Sequence, residues 1–98
     1  MSWRRVARVD ENQAEIVEAL RKMGATVQPL HTVGKGCPDL LVGWRQKNFL
    51  FEVKNPTKPK RDQRKTEDQE KWVREWRGPV FVVTSALQAI GFLQSVTP

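Results

Sequence analysis

Residues 36–54 read Gly36-Cys37-Pro38-Asp39-Leu40-Leu41-Val42-Gly43-Trp44-Arg45-Gln46-Lys47-Asn48-Phe49-Leu50-Phe51-Glu52-Val53-Lys54, and this stretch decides the fold. Asp39 to Trp44 carries Leu40, Leu41 and Val42 in a row and reads as a strand. Arg45 to Asn48 is polar and fits a tight turn. Phe49 to Lys54 is rich in β-formers and reads as a second strand. Alternation along it puts Leu50, Glu52 and Lys54 on one face and Phe49, Phe51 and Val53 on the other. Two charges therefore share a face with Leu50 in a strand that otherwise looks buried. Burying a carboxylate and an ammonium is expensive unless partners are supplied.

Towards the N-terminus, Ile16, Val17, Leu20 and Met23 fall at helical spacing between Glu11 and Met23. Asp10 or Asn12 can cap the start, and Gly24 ends the helix. Ala25 to Leu30 is a short strand, and His31 to Pro38, with Gly34, Gly36 and Pro38, is a loop. Asn55 to Lys65 contains Pro56 and Pro59 and is also loop. Thr66-x-x-Gln69 matches a capping box; it opens a helix whose apolar face carries Trp72, Val73 and Trp76 and which Arg77-Gly78-Pro79 stops. Val80 to Val83 reads as a buried strand, parallel to an earlier one because a helix intervenes. Ser85 caps a last helix with Leu87, Ile90 and Leu93. The order α-β-β-β-α-β-α describes an α/β (α+β) fold, with helices on a small mixed sheet.

The chain has 98 residues, enough for one domain, and residues 1–9 read as a flexible basic arm. Lys and Arg number 17 against 11 Asp and Glu, for a net charge of +6, and the isoelectric point is about 10.0. A 39% hydrophobic content with 4 Trp and 4 Phe excludes a fully disordered chain. No apolar run approaches a membrane span, and the basic N-terminus lacks the apolar stretch of a secretory signal. The single Cys37 suits a reducing cytoplasm. A domain this small gains stability from a dimer interface. Between Lys54 and Lys65 stand six basic residues and one acid, Asp62. Such a cluster attracts polyanions, nucleic acid above all, although a solvated loop has the same composition.

Register sharpens the chemistry. With Gln46 and Lys47 as a two-residue hairpin loop, Leu41 faces Glu52 and Asp39 faces Lys54. Asp39 is then diagonal to Glu52, with Cβ atoms roughly 7–8 Å apart or less. Two carboxylates at that spacing can converge on one hard divalent cation, and oxygen ligands suit Mg²⁺ or Mn²⁺. Lys54 can orient an attacking water or stabilise charge developing on a phosphate. Taken singly, an Asp after Pro and a Glu-x-Lys pair are a turn and an ion pair; together on one face they point to a site.

Pro38-Asp39 followed by Glu52-x-Lys54 resembles the motif of the PD-(D/E)XK nucleases. Gly36-x-Pro38-Asp39-Leu40 with the later Gln69 is similar to the VRR-NUC branch of that superfamily, whose short stand-alone members occur in phages and prophages and resemble archaeal Holliday-junction resolvases. The resemblance runs from about Asn12 to Leu93. It implies a restriction-endonuclease-like αβββαβ core and an Mg²⁺-dependent endodeoxyribonuclease. The DNA would be branched, such as a Holliday junction or flap, and the enzyme often a homodimer with no organic cofactor. Asp39 and Glu52 would be metal ligands, with the Val53 carbonyl as another, and Lys54 the catalytic lysine. Gln69 would touch the site or the DNA backbone; its capping-box role with Thr66 is an equal alternative, and one side chain can serve both. The family's Glu on the first helix is replaced here by Gln13, on the inward stripe with Ile16, Val17 and Leu20. Gln13 is therefore a candidate site residue, and Glu15, offset round the helix, a secondary one.

Lys35, Lys58, Lys60, Arg61, Arg64 and Lys65 are the candidate contacts to the DNA backbone. His31 reads as an ordinary strand-end histidine, Cys37 as an ordinary thiol, and Trp72 and Trp76 as core or dimer interface. The rival function is a nucleic-acid-binding module on the same fold without catalysis, which the Gln13 position keeps in play.

Overall fold

The computed structural model describes residues 11–59 and 66–96. Helix α1 spans Glu11–Lys22 and buries Gln13, Ile16 and Leu20 along one stripe. Gly24, at φ +103°, closes it, as expected of a residue just past a helix end. Strands β1 (Thr26–Pro29), β2 (Leu40–Trp44) and β3 (Lys47–Val53) follow. Helix α2 (Glu67–Glu75), strand β4 (Phe81–Val83) and helix α3 (Ala86–Val96) complete the described chain. The sequence order of elements is the one expected, in a mixed α/β fold.

The sheet order is β1-β2-β3-β4. The first two pairings are antiparallel and β3 runs parallel to β4, with α2 making the crossover. The hairpin differs from expectation in its register. Its loop is Arg45-Gln46, both at positive φ (51° and 69°), the conformation that matches strand twist in two-residue hairpins. Leu41 therefore faces Leu50, and Trp44 faces Lys47. This register sets Leu40 opposite Phe51 and Val42 opposite Phe49 within the core and lets the Arg45 guanidinium lie 5.1 Å over the Trp44 ring. The slip from the expected pairing is two residues, so every side chain keeps its face.

One face of the sheet carries the core. Leu40, Val42, Phe49, Phe51, Val53 and Val83 pack there against Ile16 and Leu20 of α1 and Ala89 and Leu93 of α3. All four phenylalanines meet: Phe92 lies 5.9 Å from Phe49, 5.8 Å from Phe51 and 4.5 Å from Phe81 between ring centroids. Each such side chain, fully buried, contributes about 1.5–3 kcal/mol. Helix α2 lies on the opposite face and buries no residue completely. Three smaller expectations are corrected. Asn12 lies within α1 and is not its cap. Trp76 is the residue that terminates α2, in extended conformation. The last strand is an edge strand with Val82 45% exposed, because nothing described pairs beyond β4. Among the described residues no helix is long and apolar enough to cross a membrane.

Candidate active site at the end of β3

Two chain segments meet where β3 ends. The antiparallel pairing of Leu40 with Phe51, continued by one residue, sets Asp39 across from Glu52 rather than diagonal to it. Asp39 follows the fully buried Pro38, and its Oδ2 accepts a hydrogen bond from the Val53 N–H at 2.7 Å. Its carboxylate thus occupies the place a strand carbonyl would take. The Lys54 N–H, one residue on, donates to the Val83 carbonyl of β4 at 3.0 Å. The backbone carrying Glu52, Val53 and Lys54 is therefore fixed from both sides.

Glu52 is 4% exposed. Its Oε2 accepts from Gln69 Nε2 at 2.8 Å and lies 3.3 Å from Lys54 Nζ. These are the partners that a buried carboxylate requires. Lys54 Nζ also donates to Gln69 Oε1 at 3.4 Å. Gln69 bonds to Glu52 and Lys54 and caps its own helix as well. The same Oε1 accepts from the Thr66 N–H at 2.9 Å while the Gln69 N–H donates to Thr66 Oγ1 at 3.2 Å, which is the reciprocal capping box. The start of α2 is set by Gly36. That glycine, at φ +83°, packs so closely that a Cβ there would overlap the Asp68 carbonyl and stand 2.7 Å from the Gln69 nitrogen. A glycine in the loop thus brings the helix, and Gln69 with it, down onto Glu52.

Cys37 borders this cluster. Burial first, then the neighbouring charges of Glu52 and Asp39, push its thiol above the ordinary value. A thiol so held is protonated and a poor nucleophile at neutral pH, in keeping with its reading as an ordinary cysteine.

The structure places the other candidates as follows. Gln13 is buried on α1 and borders a cleft of about 600 Å³ between α1 and β1, together with Val17, Arg21, Pro29 and His31. Alternation along β3 directs Glu52 to the other face of the sheet, so the bonds that gather Glu52, Lys54 and Gln69 are made without α1's inward stripe. Glu15 is exposed. Lys35 and Lys58 are exposed on the loops that leave the sheet at the site's end; Lys35 holds a left-handed backbone, φ 57°. Lys60, Arg61, Arg64, Lys65 and the basic arm 1–9 lie outside the described residues.

Asn12 is the positional residue that the sequence did not reveal. Its Nδ2 donates to the Lys54 carbonyl at 2.9 Å and the Thr84 carbonyl at 3.5 Å, tying the first turn of α1 to the ends of β3 and β4. Its Oδ1 is buried without a hydrogen-bond partner among the described residues. An Asn near a helix start reads as a cap, and local spacing holds no signal for a bond to a strand 42 residues away.

For a divalent cation the donor chemistry fits in part. Among the described residues no cluster of three or more His, Cys, Asp or Glu side chains is arranged to hold a metal. Asp39 and Glu52 are two hard oxygen donors, and Mg²⁺ is commonly held by one or two carboxylates with waters and substrate phosphates completing its shell. Comparison of the chain with family models, with curated proteins and with solved structures gives no match.

Proposed function

We propose that this chain is a metal-dependent endodeoxyribonuclease that hydrolyses phosphodiester bonds in branched DNA, as a single domain and as a homodimer. The observation that carries the proposal is the gathering of Asp39, Glu52, Lys54 and Gln69 at the end of β3, with a buried carboxylate held between a lysine and an amide. Asp39 and Glu52, with the Val53 carbonyl, would hold Mg²⁺ or Mn²⁺, which would acidify water and neutralise charge at the phosphate. Gln69 fixes the orientation of Glu52 through its Nε2. Lys54 presents an ammonium beside the same carboxylate, placed to counter charge building on a phosphate oxygen. The net charge of +6 and the exposed Lys35 and Lys58 supply sequence-independent attraction that weakens with salt. Branch preference would come from the spacing of two sites in a dimer, and the motif's family resemblance points to a phage or bacterial cytoplasmic setting.

The test is cleavage of labelled linear duplex, flap, splayed-arm and four-way-junction DNA with Mg²⁺ or Mn²⁺, with Lys54→Ala and Asp39→Asn in parallel and circular dichroism to confirm folding. Metal-dependent cutting that both variants lose supports the nuclease. The rival is binding without cleavage, which Gln13 in place of the family's helical Glu keeps in play. Tight, salt-sensitive binding with no cutting by any of the three proteins would establish that rival and overturn the proposal.

A further inference from the structure

The outer face of the hairpin and the inner face of α2 enclose an apolar cleft of about 400 Å³, whose walls include Leu30, Cys37, Leu41, Leu50, Trp72 and Trp76. Leu41 and Leu50 face each other across β2 and β3. Above them the indoles of Trp72 and Trp76 are already stacked, 4.6 Å between centroids and 19° apart in plane. Trp76 is 49% exposed and Leu41 37%, so the cleft opens to solvent with an aromatic edge. It lies beside the candidate active site. Leu50 lies two residues before Glu52 on the same face, about 7 Å along the strand. Trp72 lies one helical turn after Gln69 on α2. Cys37, two residues before Asp39, lines the cleft.

We infer that this cleft receives an unpaired nucleobase of the DNA strand whose phosphate lies at Asp39 and Glu52. This inference deepens the nuclease proposal and rests on it. An aromatic stack with an open end accepts one more ring, and stacking tolerates any base because every base has a π-face. The separation of cleft and carboxylates is one that a single nucleotide spans. The walls are mostly aliphatic and aromatic, with Asn48 as the one amide, so stacking carries most of the hold, and a base inside a duplex is not free to enter. The occupant is a nucleotide because the cleft lies beside the carboxylates at which the strand's phosphate would be held, and a nucleotide brings an anion to a basic protein. The cleft would thus make flaps, gaps and junction centres better ligands than blunt duplex.

The experiment is binding in EDTA, where nothing is cut, of a single strand carrying 2-aminopurine and of a blunt duplex, to the wild type, Trp76→Ala, Trp76→Phe and Leu41→Glu. The probe should be quenched by the wild type. Trp76→Ala should weaken single-strand binding by about 5- to 150-fold, the worth of one stacked base, and by clearly more than it weakens duplex binding. Trp76→Phe should restore most of the loss. Leu41→Glu, at an exposed position that tolerates a charge, should reproduce it if Trp76→Ala fails to fold. Equal losses on both DNAs, or no loss, overturn the cleft assignment while cleavage by the wild type keeps the nuclease proposal standing. A variant that turns a dimer into a monomer with both affinities falling together assigns the cleft to self-association and overturns it too. A wild type that binds no DNA overturns both.

Discussion

Replacing Gln69 with Glu separates the two tasks of this side chain. Glu serves a capping box as well as Gln, so the bond from the Thr66 N–H and the start of α2 are kept. What changes is the group facing Glu52: an amide nitrogen 2.8 Å from Glu52 Oε2 becomes a carboxylate oxygen. At an effective dielectric of about 20, like charges at that distance repel by about 6 kcal/mol. Lys54 Nζ, 3.4 Å from the same side chain, attracts the new charge by about 5 kcal/mol on the same scale. Both ionic side chains are largely shielded, 15% and 5% exposed, so solvent screens the two terms alike. They nearly cancel, and the loss of the hydrogen bond to a charged group, about 1.5–3 kcal/mol, dominates. The expected destabilisation is about 2–4 kcal/mol at neutral pH.

Urea denaturation in EDTA measures this, with Lys54→Met and the double variant completing a cycle. Without Lys54 the cancellation disappears, so Gln69→Glu should become more damaging by at least about 3 kcal/mol. Acidification to about pH 4 should reduce the penalty, because a protonated carboxyl can donate the bond that the amide donated. Mg²⁺ should raise the midpoint of Gln69→Glu more than that of the wild type, since a third hard oxygen donor joins the pair. A Gln69→Glu protein within about 0.5 kcal/mol of wild type, or a penalty the same with and without Lys54, would refute the reasoning.

Gly36→Ala should cost about 2–5 kcal/mol in denaturant midpoint, combining the left-handed backbone penalty with overlap on the start of α2. Gly34→Ala, at φ +73° with nothing within 4 Å of the added carbon, should show the backbone penalty of about 1–2 kcal/mol alone. The raised Cys37 thiol should react with iodoacetamide more slowly at mildly alkaline pH than an unfolded cysteine, and Glu52→Gln should speed it. A thiol titrating higher in the folded state contributes stability that is complete below its unfolded pKa and lost as pH rises through the folded one, so the denaturation midpoint should fall on that alkaline limb and less so in Cys37→Ser. Lys35→Gly relieves a left-handed lysine and should leave stability within about 1 kcal/mol, while lowering the salt slope of DNA binding by about 1 if Lys35 touches a phosphate.

The faces of the sheet were legible because strand parity survives a slip of two residues. Glu52 and Lys54 share a face with Leu50 in either register, and Phe49, Phe51 and Val53 turn to the core in both. The register itself was not legible, because Arg45-Gln46 lacks the Asn-Gly or Asp-Gly signature of its turn and the polar run Arg45 to Asn48 offers three places for a two-residue loop. Thr66 and Gln69 gave the capping box directly, since its three-residue spacing is local. That Gln69 also reaches Glu52 depends on how closely the Gly36 loop lets α2 approach, which no spacing encodes. Trp76 looked helical by its four-residue interval from Trp72, yet it caps the helix, and the interval still delivers the stacked pair.

The site's long-range placements share one physical feature. Asp39 holds the Val53 N–H across 14 residues, and Asn12 holds the Lys54 carbonyl across 42. Each is a side chain bonded to backbone at a strand end, where the ladder has run out and a donor or acceptor would otherwise be unmet. Such residues look like caps and turn-formers in sequence because the same short polar side chains serve locally in those roles. Gln69 does both at once, capping its own helix with its oxygen and holding Glu52 with its nitrogen. A buried carboxylate beside a lysine therefore depends on three ties made by uncharged or backbone-directed groups, and the motif residues acquire their geometry from neighbours that the motif does not contain.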